Sequence, residues 1–127
     1  MSRRSFSRRR SAPERGRLSE DLACEAMVRA GYEIIERNYK TPRFEIDIIA
    51  RERGVLVFAE VRARRAGAMV HPLETVDRSK VQRLLLGARH YMARRRLFDV
   101  PVRFDVVSVE WHGERPRVEI IRNALTW

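Results

Sequence analysis

Phe44-Glu45-Ile46-Asp47-Ile48-Ile49-Ala50 is followed, after Arg51 and Glu52-Arg53-Gly54, by Val55-Leu56-Val57-Phe58-Ala59-Glu60-Val61-Arg62. Both segments are rich in β-branched and aromatic residues, and the Glu52-Arg53-Gly54 turn between them predicts a hairpin. Each sets acid among apolar neighbours, where a charge costs free energy unless something compensates it. Alternate side chains of a strand share a face. Glu45 and Asp47 are therefore expected on one face of the first strand, with Ile46 and Ile48 on the other. Glu60 should share its face with Phe58 and Arg62, while Ala59 and Val61 point away. Pairing through the short turn brings Asp47 and Glu60, thirteen positions apart, close across the ladder. Two carboxylates at that distance repel, and one is driven to protonate. Magnesium or manganese would relieve the repulsion, because hard cations take oxygen ligands. A metal so held polarises a phosphoryl oxygen and activates water, and Arg62 would stabilise the developing charge. The same residues also suit an ion pair between Glu60 and Arg62 on a solvated sheet face, and spacing alone leaves both readings open.

Outward from the hairpin, residues 18–30 read as a helix, with Leu18, Leu22, Ala26 and Ala30 recurring every four positions. Ser19 is its expected N-cap, and Gly31 stands where a glycine ends a helix. Residues 32–39 read as a strand, and Thr41-Pro42-Arg43 as a turn into residues 44–51. The third strand is expected over 55–63, followed by a loop over 64–74. A second helix is expected from about residue 76 to 95, with Val81, Leu84, Leu85 and Ala88 on its buried face. Residues 102–111 form a further strand, and 117–121 a short edge strand. The order α-β-β-β-α-β predicts an α/β fold, a mixed central sheet flanked by helices.

The chain has 127 residues, 27 basic and 17 acidic, for a net charge of +10. Lys40 and Lys80 are its lysines; the other basic residues are arginines, whose forked guanidinium suits phosphate. Such a charge favours polyanionic partners. Residues 1–17 hold seven arginines and one acid, Glu14. They read as a disordered Arg-rich tail ahead of a single domain over 18–127. No apolar run reaches the roughly 20 residues that span a bilayer. One cysteine, Cys24, and three scattered histidines (His71, His90, His112) leave no zinc spacing. Cys24 reads as a small buried residue, and the composition suits a reducing cytoplasm.

The chain resembles the YraN-like family of small bacterial proteins, over about residues 16–125. The segments that carry the resemblance are Gly16-Arg17-Leu18-Ser19-Glu20-Asp21-Leu22-Ala23, Gly31-Tyr32-Glu33-Ile34-Ile35-Glu36-Arg37-Asn38-Tyr39 and Glu45-Ile46-Asp47-Ile48-Ile49-Ala50. They continue with Val57-Phe58-Ala59-Glu60-Val61-Arg62-Ala63-Arg64, Val76 with Lys80, and Arg103-Phe104-Asp105-Val106-Val107. That family is usually placed in the restriction-endonuclease-like, PD-(D/E)xK superfamily. The resemblance implies that Asp47 and Glu60 are metal ligands for magnesium or manganese, with the Val61 carbonyl as a further donor. It implies that Glu20 completes the site from the first helix, and that Arg62 fills a slot usually held by lysine. Arginine stays protonated and cannot act as a general base. Lys80 is the nearby substitute, or a solvated lysine at a helix start. Phe44 stands where many relatives have glycine.

The leading expectation is a metal-dependent nuclease that hydrolyses phosphodiesters of DNA, branched or structured DNA by analogy. Arg62, Arg64 and Lys80 would contact nucleic acid, and a homodimer would suit symmetric cleavage of a duplex. The alternative is a non-catalytic nucleic-acid-binding protein that keeps the fold. A basic RNA- or ribosome-associated protein is a third reading. Tyr39 and Trp111 offer stacking surfaces for bases, though sheet packing explains them equally well.

Overall fold

A computed structural model describes residues 10–67 and 78–125. Its elements run α1 (Ala12–Arg29), β1 (Glu33–Lys40), β2 (Glu45–Glu52), β3 (Val55–Arg65), α2 (Arg78–Arg94), β4 (Val102–His112) and β5 (Arg115–Ile121). The expected α/β order holds, with β5 as the added edge strand. The five strands lie in sequence order; every neighbouring pair is antiparallel except β3 and β4, which are parallel and joined through α2.

The helix boundary is corrected. α1 begins at Ala12 rather than at Leu18, so residues 12–17, assigned to the tail, are helical. Ser11 is the N-cap. Its Oγ accepts from the Glu14 N–H at 3.2 Å, and Glu14 Oε1 accepts from the Ser11 N–H at 2.8 Å. This capping box, with Pro13 in the first turn, satisfies donors that a helix otherwise leaves bare. Ser19 is instead buried within α1, and its Oγ accepts from Trp111 Nε1 at 2.9 Å. Gly31 ends the helix as expected, at φ 101°. The Tyr32 N–H donates to the Met27 carbonyl and the Gly31 N–H to that of Val28, a Schellman closure. Residues 1–9, most of the expected tail, lie outside the described residues, as do His71 and Val76.

Positive φ at Arg53 (50°) and Gly54 (80°) gives the two-residue turn that joins β2 to β3. One face of the sheet packs on α2 through Ile46, Ile49, Phe58, Leu84, Ala88, Tyr91, Phe104 and Val106. Phe58 stacks on Phe104 at 5.6 Å and meets Tyr91 edge-on at 5.9 Å; such pairs add about 1 kcal/mol each to burial. The other face packs on α1 through Ala23, Met27, Ile48, Ala50, Val57, Ala59, Val107 and Trp111. Among the described residues, no helix is long and apolar enough to cross a membrane.

Ile46 and Ile48 thus fall on opposite faces, against the alternation expected from sequence. In the register, Arg37 pairs with Ile48 and Tyr39 with Ile46. Between them Asn38 adopts φ 53°. A left-handed residue in a strand breaks the pleat, and both strands change face across Asn38 and Asp47. The regular ladder between β2 and β3 stops at Ile48 and Ala59, one step short of Asp47 and Glu60.

Candidate functional site

Where β2 and β3 part, the Val61 N–H has no strand carbonyl to reach and donates to Asp47 Oδ2 at 2.8 Å. This bond fixes the Asp47 carboxylate beside that of Glu60, within hydrogen-bonding reach. Burial, foremost, and then the Glu60 charge push the Asp47 carboxyl up to about 7; the Val61 N–H opposes the rise, and Glu20 adds to it. Glu60 is 5% exposed on the α2 face of β3. Its Oε2 lies 2.8 Å from Lys80 Nζ and 3.3 Å from Arg62 Nη1. The strand supplies Arg62 at i+2, and the first turn of α2 supplies Lys80. These groups share a cleft of about 470 Å³, walled by the β1–β2 turn on one side and α2 on the other.

The other expected site residues stand apart to different degrees. Glu20 lies on α1, and its Oε1 accepts from Arg37 Nη2 at 3.0 Å and from Asn38 Nδ2 at 2.8 Å. Its charge reaches Asp47, but its oxygens are already held. Arg64 is not part of the cleft lining; it pairs with Glu110 at 3.1 Å on neighbouring β4. Glu45 is exposed at the cleft rim, 3.8 Å from Lys40 Nζ. Trp111 and Tyr39 are buried and serve the core, with the Tyr39 hydroxyl 2.7 Å from His90 Nδ1. Cys24 is half-buried, and burial raises its thiol pKa.

Phe44 is accommodated from across the interface. A side-chain carbon at Gly87 of α2 would stand 3.2 Å from Phe44 Cβ and 3.3 Å from Ile46 Cδ1. The helix therefore lacks a side chain where Phe44, just before β2, and Ile46 approach it. Two cleft residues escaped the sequence reading, Arg43 in the β1–β2 turn and Arg83 on α2. The i, i+3 spacing of Lys80 and Arg83 was the signal for the second, since such residues share a helix face.

The donor set suits a hard divalent cation, with two carboxylates side by side in a cleft open to water. Among the described residues no third Asp, Glu, His or Cys joins them to make a metal-holding group. An ion here would complete its shell from backbone oxygen and water, as magnesium commonly does.

The chain is similar to proteins of one family along most of its length. The model of the uncharacterised protein family UPF0102 matches residues 19–109, the stretch that holds Glu20, Asp47, Glu60, Arg62, Arg64 and Lys80. A UPF0102 protein of Desulforapulum autotrophicum is 49% identical over 109 residues, 86% of this chain and 90% of that protein. One of Syntrophotalea carbinolica is 40% identical over 104 residues, 82% and 85% of the two chains. One of Anaeromyxobacter sp. is 41% identical over 110 residues, 87% and 83%. On this evidence the chain belongs to the uncharacterised protein family UPF0102.

Proposed function

We propose that this protein is a metal-dependent nuclease that hydrolyses phosphodiesters of DNA. The observation that carries the reading is the convergence of Asp47, Glu60 and Lys80 in one cleft, with Lys80 Nζ 2.8 Å from Glu60 Oε2. Asp47 and Glu60 would hold a magnesium or manganese ion, which supplies Lewis-acid activation of water and of the phosphoryl group. The Val61 N–H keeps Asp47 oriented toward that position. Arg62 stays protonated and offsets charge gathering on the phosphate. Lys80 can give up and take back a proton, which Arg62 cannot, so it fills the role that the arginine leaves open.

The test is cleavage of single-stranded, duplex and branched DNA with magnesium or manganese, comparing wild type with Asp47→Asn and Glu60→Gln. Loss of cleavage in both variants is expected; cleavage that survives both would sink the reading. A second reading, a non-catalytic nucleic-acid-binding protein, draws on the pairing of Glu60 with both Lys80 and Arg62. Those two cations already compensate the buried charge, as a structural trio would. Salt-sensitive DNA binding with no heat of manganese binding would favour it.

A further inference from the structure

We infer that Arg43 and Arg83 form a phosphate-gripping pair, one on each wall of the cleft, that binds the phosphodiesters flanking the one at Asp47 and Glu60. The placing of a phosphodiester at the centre rests on the hydrolase reading; the grip itself rests on the two arginines. The cleft is lined by the cations Arg43, Arg62, Lys80 and Arg83 and by the acids Glu45, Asp47 and Glu60. Arg62 and Lys80 are engaged by Glu60, and Glu45 faces Lys40. Among the described residues, the guanidinium groups of Arg43 and Arg83 have neither a hydrogen-bond nor an ion-pair partner. Two forks with five donors each thus line one cleft.

Their supports are firm. The Thr41 Oγ1 accepts from the backbone N–H of Arg43 at 3.2 Å and of Phe44 at 2.9 Å, and the Thr41 N–H donates to the Phe44 carbonyl. These bonds fix the turn that carries Arg43. Arg83 rides one helical turn beyond Lys80, which is itself tied to Glu60. A guanidinium matches a phosphate with two parallel hydrogen bonds. Both arginines are exposed, so little desolvation opposes the contact. An isolated anion could satisfy either arginine. A ligand that meets both walls while its centre lies over two carboxylates needs regularly spaced anions, which a nucleic-acid strand supplies and a single acidic group does not.

The experiment uses the full chain, a fluorescein-labelled oligothymidylate and chelator, with anisotropy followed across a salt series. Releasing one phosphate contact lowers the slope of log K against log salt by about 0.7 on single strands. Arg43→Gln and Arg83→Gln should each show that drop, and the double variant about 1.4, because separate walls act additively. Arg43→Lys and Arg83→Lys should keep the slope yet weaken binding several-fold, since the charge stays and the fork goes. Arg117→Gln, on β5, should leave the slope unchanged. An equal drop for Arg117→Gln, or none for either cleft variant, overturns the pair. Metal-dependent DNA cleavage with a slope indifferent to Arg43 and Arg83 removes the pair and leaves the hydrolase. A slope set by both arginines, without manganese binding or cleavage, does the reverse.

Discussion

Lys80 Nζ lies 2.8 Å from Glu60 Oε2, so α2 brings a lysine to the buried acid of β3, which carries Arg62 two positions on. Arg62 Nη1 reaches the same oxygen at 3.3 Å. The two cations are chemically unequal, because the ammonium can exchange a proton and the guanidinium cannot. On the proposed hydrolase reading, Lys80→Met should lower single-turnover, manganese-dependent cleavage by about 100-fold or more. Lys80→Arg, which restores the charge alone, should not rescue it. Arg62→Lys should stay within about 10-fold of wild type. Wild-type rates in Lys80→Arg would show that the site uses the charge of Lys80 and not its proton.

Asp47 and Glu60 face each other with no third acid beside them among the described residues, and the Val61 N–H holds Asp47 in place. An asparagine at 47 keeps an acceptor for that N–H and removes one of two mutually repelling charges. Asp47→Asn should therefore stabilise the metal-free chain by about 1 kcal/mol in urea melts and, on the proposed hydrolase reading, abolish cleavage. Manganese should raise the melting temperature of the wild type and leave that of the variant unmoved. A variant less stable than metal-free wild type would mean that the Asp47 charge is compensated by the fold.

The hairpin was readable because its signals are local. Apolar, β-branched runs flank Arg53-Gly54, and the register that brings Asp47 to Glu60 follows from the length of that turn. The break in alternation at Asp47 was not readable, because it depends on Asn38 in the neighbouring strand adopting φ 53°. The start of α1 had a local signal, Ser11-Ala12-Pro13-Glu14, that the surrounding arginines outweighed in a reading by composition. Ser19 illustrates the opposite error. It is a good capping residue by type, yet its hydroxyl serves Trp111, 92 positions away. The contacts of Glu60 with Lys80 and of Glu20 with Arg37 and Asn38 are tertiary, and no spacing rule encodes them.

Gly87 lets α2 approach β2 closely at Phe44 and Ile46. Alanine gains about 1 kcal/mol of helix propensity over glycine. Here its methyl would sit 3.2 Å from Phe44 Cβ, an atom anchored to the strand backbone that cannot swing away. Overpacking of this kind costs about 1–3 kcal/mol. Gly87→Ala should be destabilising by about 1 kcal/mol net, read as a lower urea midpoint at unchanged slope. Removing the opposing Cβ with Phe44→Gly in the same chain should recover part of the helix-propensity gain. Exact additivity of the two substitutions would show that the residues do not press on each other.

At the opposite end of β2, Glu52 is 7% exposed and is held by Arg122 and Arg103. Arg122 Nη2 is 2.7 Å from Glu52 Oε2, and Arg103 Nε donates to Asp105 at 2.9 Å. The Tyr32 hydroxyl donates to the same Asp105 at 2.6 Å, and the Asn123 N–H completes the network at 2.9 Å. Hydrogen bonds from Arg122, and then from Arg103, lower the Glu52 pKa from 4.5 to about 2. A carboxylate with a depressed folded pKa contributes stability above its unfolded pKa and loses it as pH falls through the folded one. The window here runs from about pH 4.5 down to about pH 2. The shift corresponds to about 3 kcal/mol at most, and solvent around the half-exposed Arg122 reduces it to about 1–2 kcal/mol. Glu52→Gln should cost about that much at pH 7, because Arg122 loses its anion and Arg103 keeps only Asp105. Between pH 5 and pH 3 the wild type should lose stability faster than the variant by roughly half that amount, the rest going below pH 3. Urea melts of both proteins at pH 7, 5 and 3 measure the difference, and parallel pH profiles would remove Glu52 as the acid-sensitive clamp between β2, β4 and the residues after β5.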